Sequence, residues 1–148
     1  METLKEMLTR HEGRKNKPYY CSNHKKTIGI GHNIDANGLP KDIQDYLGKN
    51  KKITDEMIDR LFDGDVSIAK RDCLLLYPNF NNFSEARQNA LIDFLFNVGH
   101  TTAKTFKNTN KLINEGKWKE AAENMEKSLW YKQVKSRGED IVNMIEEG

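Results

Sequence analysis

Between Glu12 and His32 the chain reads EGRKNKPYYCSNHKKTIGIGH, and no other stretch limits its architecture as much. A helical pattern runs into it, Gly13 stops that pattern, a basic loop follows, and alternating Thr27-Ile28-Gly29-Ile30-Gly31 closes it as strand. Three of its residues can do chemistry: Glu12, Cys21 and Thr27. Eight residues separate the first two and five the last two. Sequence distance does not join them. A hairpin folded back across the first helix would.

The flanking chain supplies the rest of the layout. Leu4, Met7 and Leu8 recur at helical spacing over residues 2–11, with Glu2 early and Arg10 and His11 late, as the helix dipole favours. Residues 14–35 read as a small hairpin or three short strands. A Gly/Pro/Asn loop follows, then a short amphipathic piece carrying Ile43, Tyr46 and Leu47. Thr54 caps a long helix whose apolar stripe is Met57, Ile58, Leu61, Phe62, Val66, Ala69, Cys73 and Leu76, ended by Tyr77-Pro78. Gly64 weakens it by roughly 1 kcal/mol relative to Ala. Ser84-Glu85 opens a strongly apolar helix through Ala90, Leu91, Phe94, Leu95 and Val98, stopped by Gly99. Further helical patterns cover 106–114, 117–128 and about 136–146.

The expected class is α+β, mostly α: one domain over 1–148, with a β-lobe at about 14–50, a linking helix at about 54–76, and a helical lobe at about 78–148. The helix at 2–11 is expected to dock on that larger lobe. A cleft between lobes is a favoured place for a ligand.

Composition narrows the function. The chain has 148 residues, one domain's length, with 36% hydrophobic and 31% charged residues. Nothing in it is apolar enough over about 18 residues to span a membrane, so no stable membrane insertion is expected. METLKEMLTRHEG lacks an apolar core after a basic start, so no signal peptide is expected either. Cys21 and Cys73 are too few for a disulfide framework and have no zinc-type spacing; synthesis in a reducing cytosol is the expectation. A net charge of +2 lacks the clustered basic face of a nucleic-acid binder. His11, His24 and His100 form no metal-ligand pattern, and neither metal nor cofactor is implied.

Residue types leave two readings of the opening stretch. In one, Glu12 at a helix end is partly desolvated and stays protonated to give a proton, Thr27 holds a water, and Cys21 polarises that water or attacks as a thiolate. In the other, Glu12 is a surface carboxylate, Cys21 a small buried filler and Thr27 a strand former.

Glu12-Gly13, Tyr19 and Thr27-Ile28-Gly29-Ile30-Gly31-His32 together resemble the phage endolysin family (glycoside hydrolase family 24) typified by the lysozyme of the T-even phages. Thr54-Asp55-Glu56 with Leu61-Phe62 and Asp65-Val66 is similar to its inter-lobe helix. Ala90-Leu91-Ile92 with Phe96-Asn97-Val98-Gly99 is similar to its central buried helix. Trp118, Glu120-Ala121-Ala122, Asn124, Trp130-Tyr131 and Arg137 resemble its C-terminal helices. The likeness covers about residues 3–142 in order. The tail from Ile141 is shorter than the T-even form and lacks its last aromatic segment.

The resemblance implies a lysozyme-like fold with its active-site cleft between the lobes. It implies Glu12 as general acid, Thr27 as a positioner of water, and Cys21 where the T-even enzyme has an aspartate. The usual rule, by which the separation of two carboxylates decides between inversion and retention, does not read a thiol. Water activation with inversion is expected. Phe96, Thr109 and Asn124 match sugar-contacting positions, and Asn33 stands where the family has an apolar contact. Arg137 matches an arginine that pairs with the acid, and His32 with Asp65 a structural pair. Trp118, Trp130, Tyr131 and Cys73 are expected to pack in the core.

The implied function is a muramidase cutting the β-1,4 bond between MurNAc and GlcNAc in peptidoglycan for host cell lysis. It would act as a monomer, made in the bacterial cytoplasm and released through a holin-type lesion, with a virion-bound role as a variant. Two alternatives stand beside it: a lytic transglycosylase on a similar fold, which needs no water-activating carboxylate, and a wall-binding relic without activity.

Overall fold

The computed structural model describes residues 2–148. It divides into two compact units, the first ending at Asp65 and the second beginning at Val66.

The first unit opens with α1 (Leu4–Glu12). The 2–11 expectation shifts because Thr3 is the cap: its hydroxyl accepts from the Glu6 amide while the Glu6 carboxylate accepts from the Thr3 amide. Two orphan amides are satisfied reciprocally, so the helix starts at Leu4. Three strands follow, β1 (Lys15–Tyr20), β2 (Lys26–Gly29) and β3 (His32–Asn33), in an antiparallel sheet of that order. Tyr19 pairs with Thr27 and Tyr20 with Lys26, but Lys15 pairs with Gly29, so β1 bulges on the way. Pro18 sits in that bulge, tolerable because it has no amide to offer and β1 is an edge strand. The bulged Asn16 spends its carbonyl on the Ile53 amide instead. Short α2 (Ile34–Asn37) and α3 (Lys41–Asn50) complete the unit, with the start of α4 (Asp55–Leu76). The Thr54 hydroxyl accepts from the Met57 amide, the cap read in the sequence. Leu8, Ile28, Ile43 and Ile58 are fully buried, each worth about 1.5–3 kcal/mol relative to exposure.

The second unit is helical: the end of α4, a 3₁₀ turn (Phe80–Asn82), then α5 (Glu85–Lys104), α6 (Lys107–Asn114), α7 (Trp118–Glu126), α8 (Leu129–Val134) and α9 (Ser136–Glu147). Ser84 caps α5, and Gly99 breaks it at φ 79° before a last turn runs on to Lys104. The pattern at 117–128 stops early. Ser128 donates to the Met125 carbonyl and accepts from the Tyr131 amide, ending α7 and starting α8 with one side chain.

Around α5 lie Leu91, Ile92, Phe94 and Leu95, all buried, against α9, with Ile141, Val142 and Ile145. Phe94 meets Trp130 and Phe106 edge-on at 5.0 and 5.1 Å. Trp130 is buried as expected, and Cys73 fully so. Trp118 is half-buried, with the Phe83 ring edge-on at 4.9 Å and the Arg87 guanidinium 4.3 Å over its face. Tyr77, which the sequence reading used only as a helix stop, is wholly buried and donates its hydroxyl to Asn110. A small sheet at the N-terminus with a helical remainder is the α+β class expected.

Candidate active site

Glu12 is the last residue of α1, half-buried, and its backbone carbonyl accepts a long 3.5 Å bond from the Tyr19 hydroxyl on β1. The β1–β2 pairing puts Tyr19 directly opposite Thr27. Between those strands a tight loop holds Cys21: its amide donates to the Lys25 carbonyl and its carbonyl accepts from the His24 amide. His24 takes a φ of 59° to make that turn. Hairpin geometry therefore gathers the acid, the thiol and the hydroxyl in one unit, although the sequence keeps them eight and five residues apart.

The electrostatics differ from group to group. Burial opposes ionisation of the Cys21 thiol, but hydrogen bonding from the Lys25 and Asn23 backbone and from the Thr27 side chain outweighs it, so the thiol ionises below its ordinary range. Tyr19 shifts the other way. Burial raises it, and the charges of Glu12 and Cys21 add to that, so the phenol stays protonated. Thr27 is buried; its single hydroxyl proton goes to the Lys25 carbonyl at 2.8 Å while the thiol is neutral, and turns to the Cys21 sulfur once the thiol ionises. What it presents to a ligand is oxygen lone pairs.

His32 is buried on β3. Its Nδ1 lies 2.8 Å from Asp65 Oδ2 and its Nε2 2.7 Å from the Gly38 carbonyl. Both ring nitrogens thus face acceptors. Burial works against the charged ring, but these two partners prevail and its pKa is raised. His32 and Asp65 thus make the contact that the resemblance implied. Asn33 uses its Oδ1 to accept from the Ala36 amide as the cap of α2, which leaves its amide N–H groups for a ligand.

In the second unit Thr109 and Asn124 meet: the buried Thr109 hydroxyl donates to Asn124 Oδ1 at 2.7 Å. Phe96 is half-buried on α5. Arg137 on α9 is buried, and its Nε donates to Asp93 Oδ1 at 2.8 Å. Asp93 is entirely buried, and the sequence reading passed over it. The signal was there, since a lone acid inside Ala90-Leu91-Ile92-Asp93-Phe94-Leu95 must meet a cation or remain neutral. Among the described residues no three of His, Cys, Asp and Glu converge as a metal-binding group.

A short sheet followed by helices, with an acid at the end of the first helix and a hydroxyl and a thiol of lowered pKa on the hairpin beside it, has the form of a lysozyme-like α+β protein. The phage lysozyme family model matches residues 9–144. Two proteins of Dictyostelium discoideum, named probable T4-type lysozymes 1 and 2, are each 31% identical over 163 aligned positions, covering all of this chain and 96% of their own length. The pre-baseplate central spike protein Gp5 of Enterobacteria phage T4 is 29% identical over 97% of this chain, which spans 27% of that longer protein. The chain belongs to the phage lysozyme family. It is a lysozyme-like cell-wall hydrolase.

Proposed function

We propose that the protein is a muramidase that hydrolyses the β-1,4 bond between MurNAc and GlcNAc in peptidoglycan. The observation that carries this reading is the placement of Glu12, Tyr19, Cys21 and Thr27 on α1 and one hairpin. Glu12 is the general acid that protonates the leaving glycosidic oxygen. Because the Thr27 proton is taken by the Lys25 carbonyl or the Cys21 sulfur, its oxygen accepts from the attacking water. The Cys21 thiolate accepts the other water proton, and the free lone pair then faces the anomeric carbon. Attack by water from that side inverts the anomeric centre. Tyr19, held protonated, adds no charge between acid and thiolate. In the second unit the Thr109–Asn124 pair and Phe96 are proposed as sugar contacts, hydrogen-bonding groups and an apolar plate.

The same reading assigns the protein, acting as a monomer, to lysis of a bacterial host from the cytoplasm, after a membrane lesion lets it reach the wall. Among the described residues no helix is long and apolar enough to cross a membrane by itself.

The test is digestion of purified peptidoglycan by the protein and by Glu12→Gln, with mass analysis of the released muropeptides. Products one water heavier, with reducing MurNAc ends and absent from the variant's digest, are expected. Products ending in 1,6-anhydro-MurNAc would make the enzyme a transglycosylase. No release from any wall type would make it a binding relic.

A further inference from the structure

The turn from β2 to β3 carries an unusual constraint on Glu12. Gly31 has a φ of 67°, and a Cβ placed on it would lie 2.7 Å from Glu12 Cδ and 2.9 Å from both Cγ and Oε1. A real Cβ there would force the end of the Glu12 side chain to move. The end of the Glu12 side chain therefore rests on the bare Cα of Gly31, and the backbone of the turn forms one wall of its seat. On either side Ile30 and His32 are buried, so the turn itself is anchored. Among the other glycines at positive φ none meets Glu12, and a comparably close approach occurs at Gly148, where an added Cβ would lie 2.8 Å from the Arg87 guanidinium. Gly13, Gly38, Gly99 and Gly116 have nothing within 4 Å of an added Cβ, and Gly29 meets Ile58 at an ordinary 3.4 Å.

We infer that Gly31 is a positioning residue for the acid: the missing side chain at 31 sets where the Glu12 carboxyl stands relative to the scissile bond. The inference rests on the reading of Glu12 as general acid and adds a second residue to it. Positive φ already favours glycine at 31, and Gly116 (φ 71°), with similar strain but empty space around an added Cβ, separates that conformational effect from the steric one. Steric conflict at residue 31 falls on the flexible end of Glu12 and not on backbone. The acid yields, and the fold does not. A displaced general acid is costly, since a misplacement of about 1 Å can lower a rate about 100-fold.

The experiment compares Gly31→Ala, Gly116→Ala and Glu12→Gln with the parent, on soluble uncrosslinked glycan strands, with thermal melting of each. Both alanine variants are expected to lose melting temperature to a similar degree from strain at positive φ. Only Gly31→Ala is expected to lose kcat, by about 10- to 100-fold, with KM within about twofold. In protein labelled with ¹³C at the glutamate carboxyl, the Glu12 resonance should move in Gly31→Ala and stay in place in Gly116→Ala. Full kcat in Gly31→Ala beside an inactive Glu12→Gln would overturn the positioning role and leave the acid assignment standing. An active Glu12→Gln would remove the acid assignment and this inference with it. A kcat loss in Gly31→Ala with an unmoved Glu12 resonance would also overturn it.

Discussion

Cys21 is the residue on which the proposed chemistry departs from a pair of carboxylates. Its thiol ionises below the ordinary range because burial is outweighed by hydrogen bonding from Lys25, Asn23 and Thr27. If the thiolate activates water, activity rises as pH climbs through that lowered pKa and is lost below it. Cys21→Asp places a carboxylate, with an ordinary pKa of about 3.9, at the same position. Its ascending limb should therefore lie at lower pH than the parent's. Cys21→Ala should cost about 10²- to 10⁴-fold in kcat, the range of a lost general base. A pH–rate series on the three proteins checks both, and full rate in Cys21→Ala would sink the role given to the thiol. The spacing of these residues was legible in the chain, but the hydrogen bonds that lower the Cys21 pKa depend on a tight turn closed by His24 at positive φ.

At the scale of elements, His32 and Asp65 tie β3 to α4 within the first unit. With acceptors at both ring nitrogens, only the imidazolium satisfies Asp65 and Gly38 together; the neutral ring leaves one lone pair facing an oxygen. The folded pKa is raised above the ordinary 6.5. Its stabilisation is therefore complete below the unfolded value near 6.5 and is lost as pH rises through the folded value. Urea unfolding from pH 5.5 to 9 should show stability falling across that window. Both His32→Gln and Asp65→Asn should flatten the fall and cost about 1–3 kcal/mol at pH 6. An unchanged slope in the variants would assign the pH dependence to other groups. The pair was visible in sequence by resemblance alone. Its third member, the Gly38 carbonyl, depends on the turn after α2.

At the scale of the molecule, the join of α5 to α9 buries both apolar side chains and a pair of charges. Arg137 and Asp93 form an ion pair there at 2.8 Å, with side chains 10% and 0% exposed. Removing one member of a buried pair costs far more than the intact pair contributes, because the other charge stays desolvated. Asp93→Ala should lose about 3 kcal/mol or more, a fall of about 6–12 °C in Tm for a chain of this size. The urea m-value should not change if unfolding remains all-or-none. A loss under about 1 kcal/mol, within the range of exposed pairs, would show that the pair is not a principal contributor to stability.

The sequence alone determined what depends on near neighbours along the chain. Caps at Thr54 and Ser84, the stop at Gly99, the helix–hairpin order and the apolar stripes all follow from i to i+4 contacts or from strand alternation, and each is present. Local signals also misled it where one residue serves two helices, as Ser128 does between α7 and α8. Tertiary structure decided the contacts between residues far apart in sequence. Asp93 meets Arg137 across 44 residues, His32 meets Asp65 across 33, and the Glu12 carboxyl rests against Gly31. Such contacts depend on packing and desolvation, which have no period along the chain. A buried charge or a missing Cβ acquires its role only when a distant segment is brought against it.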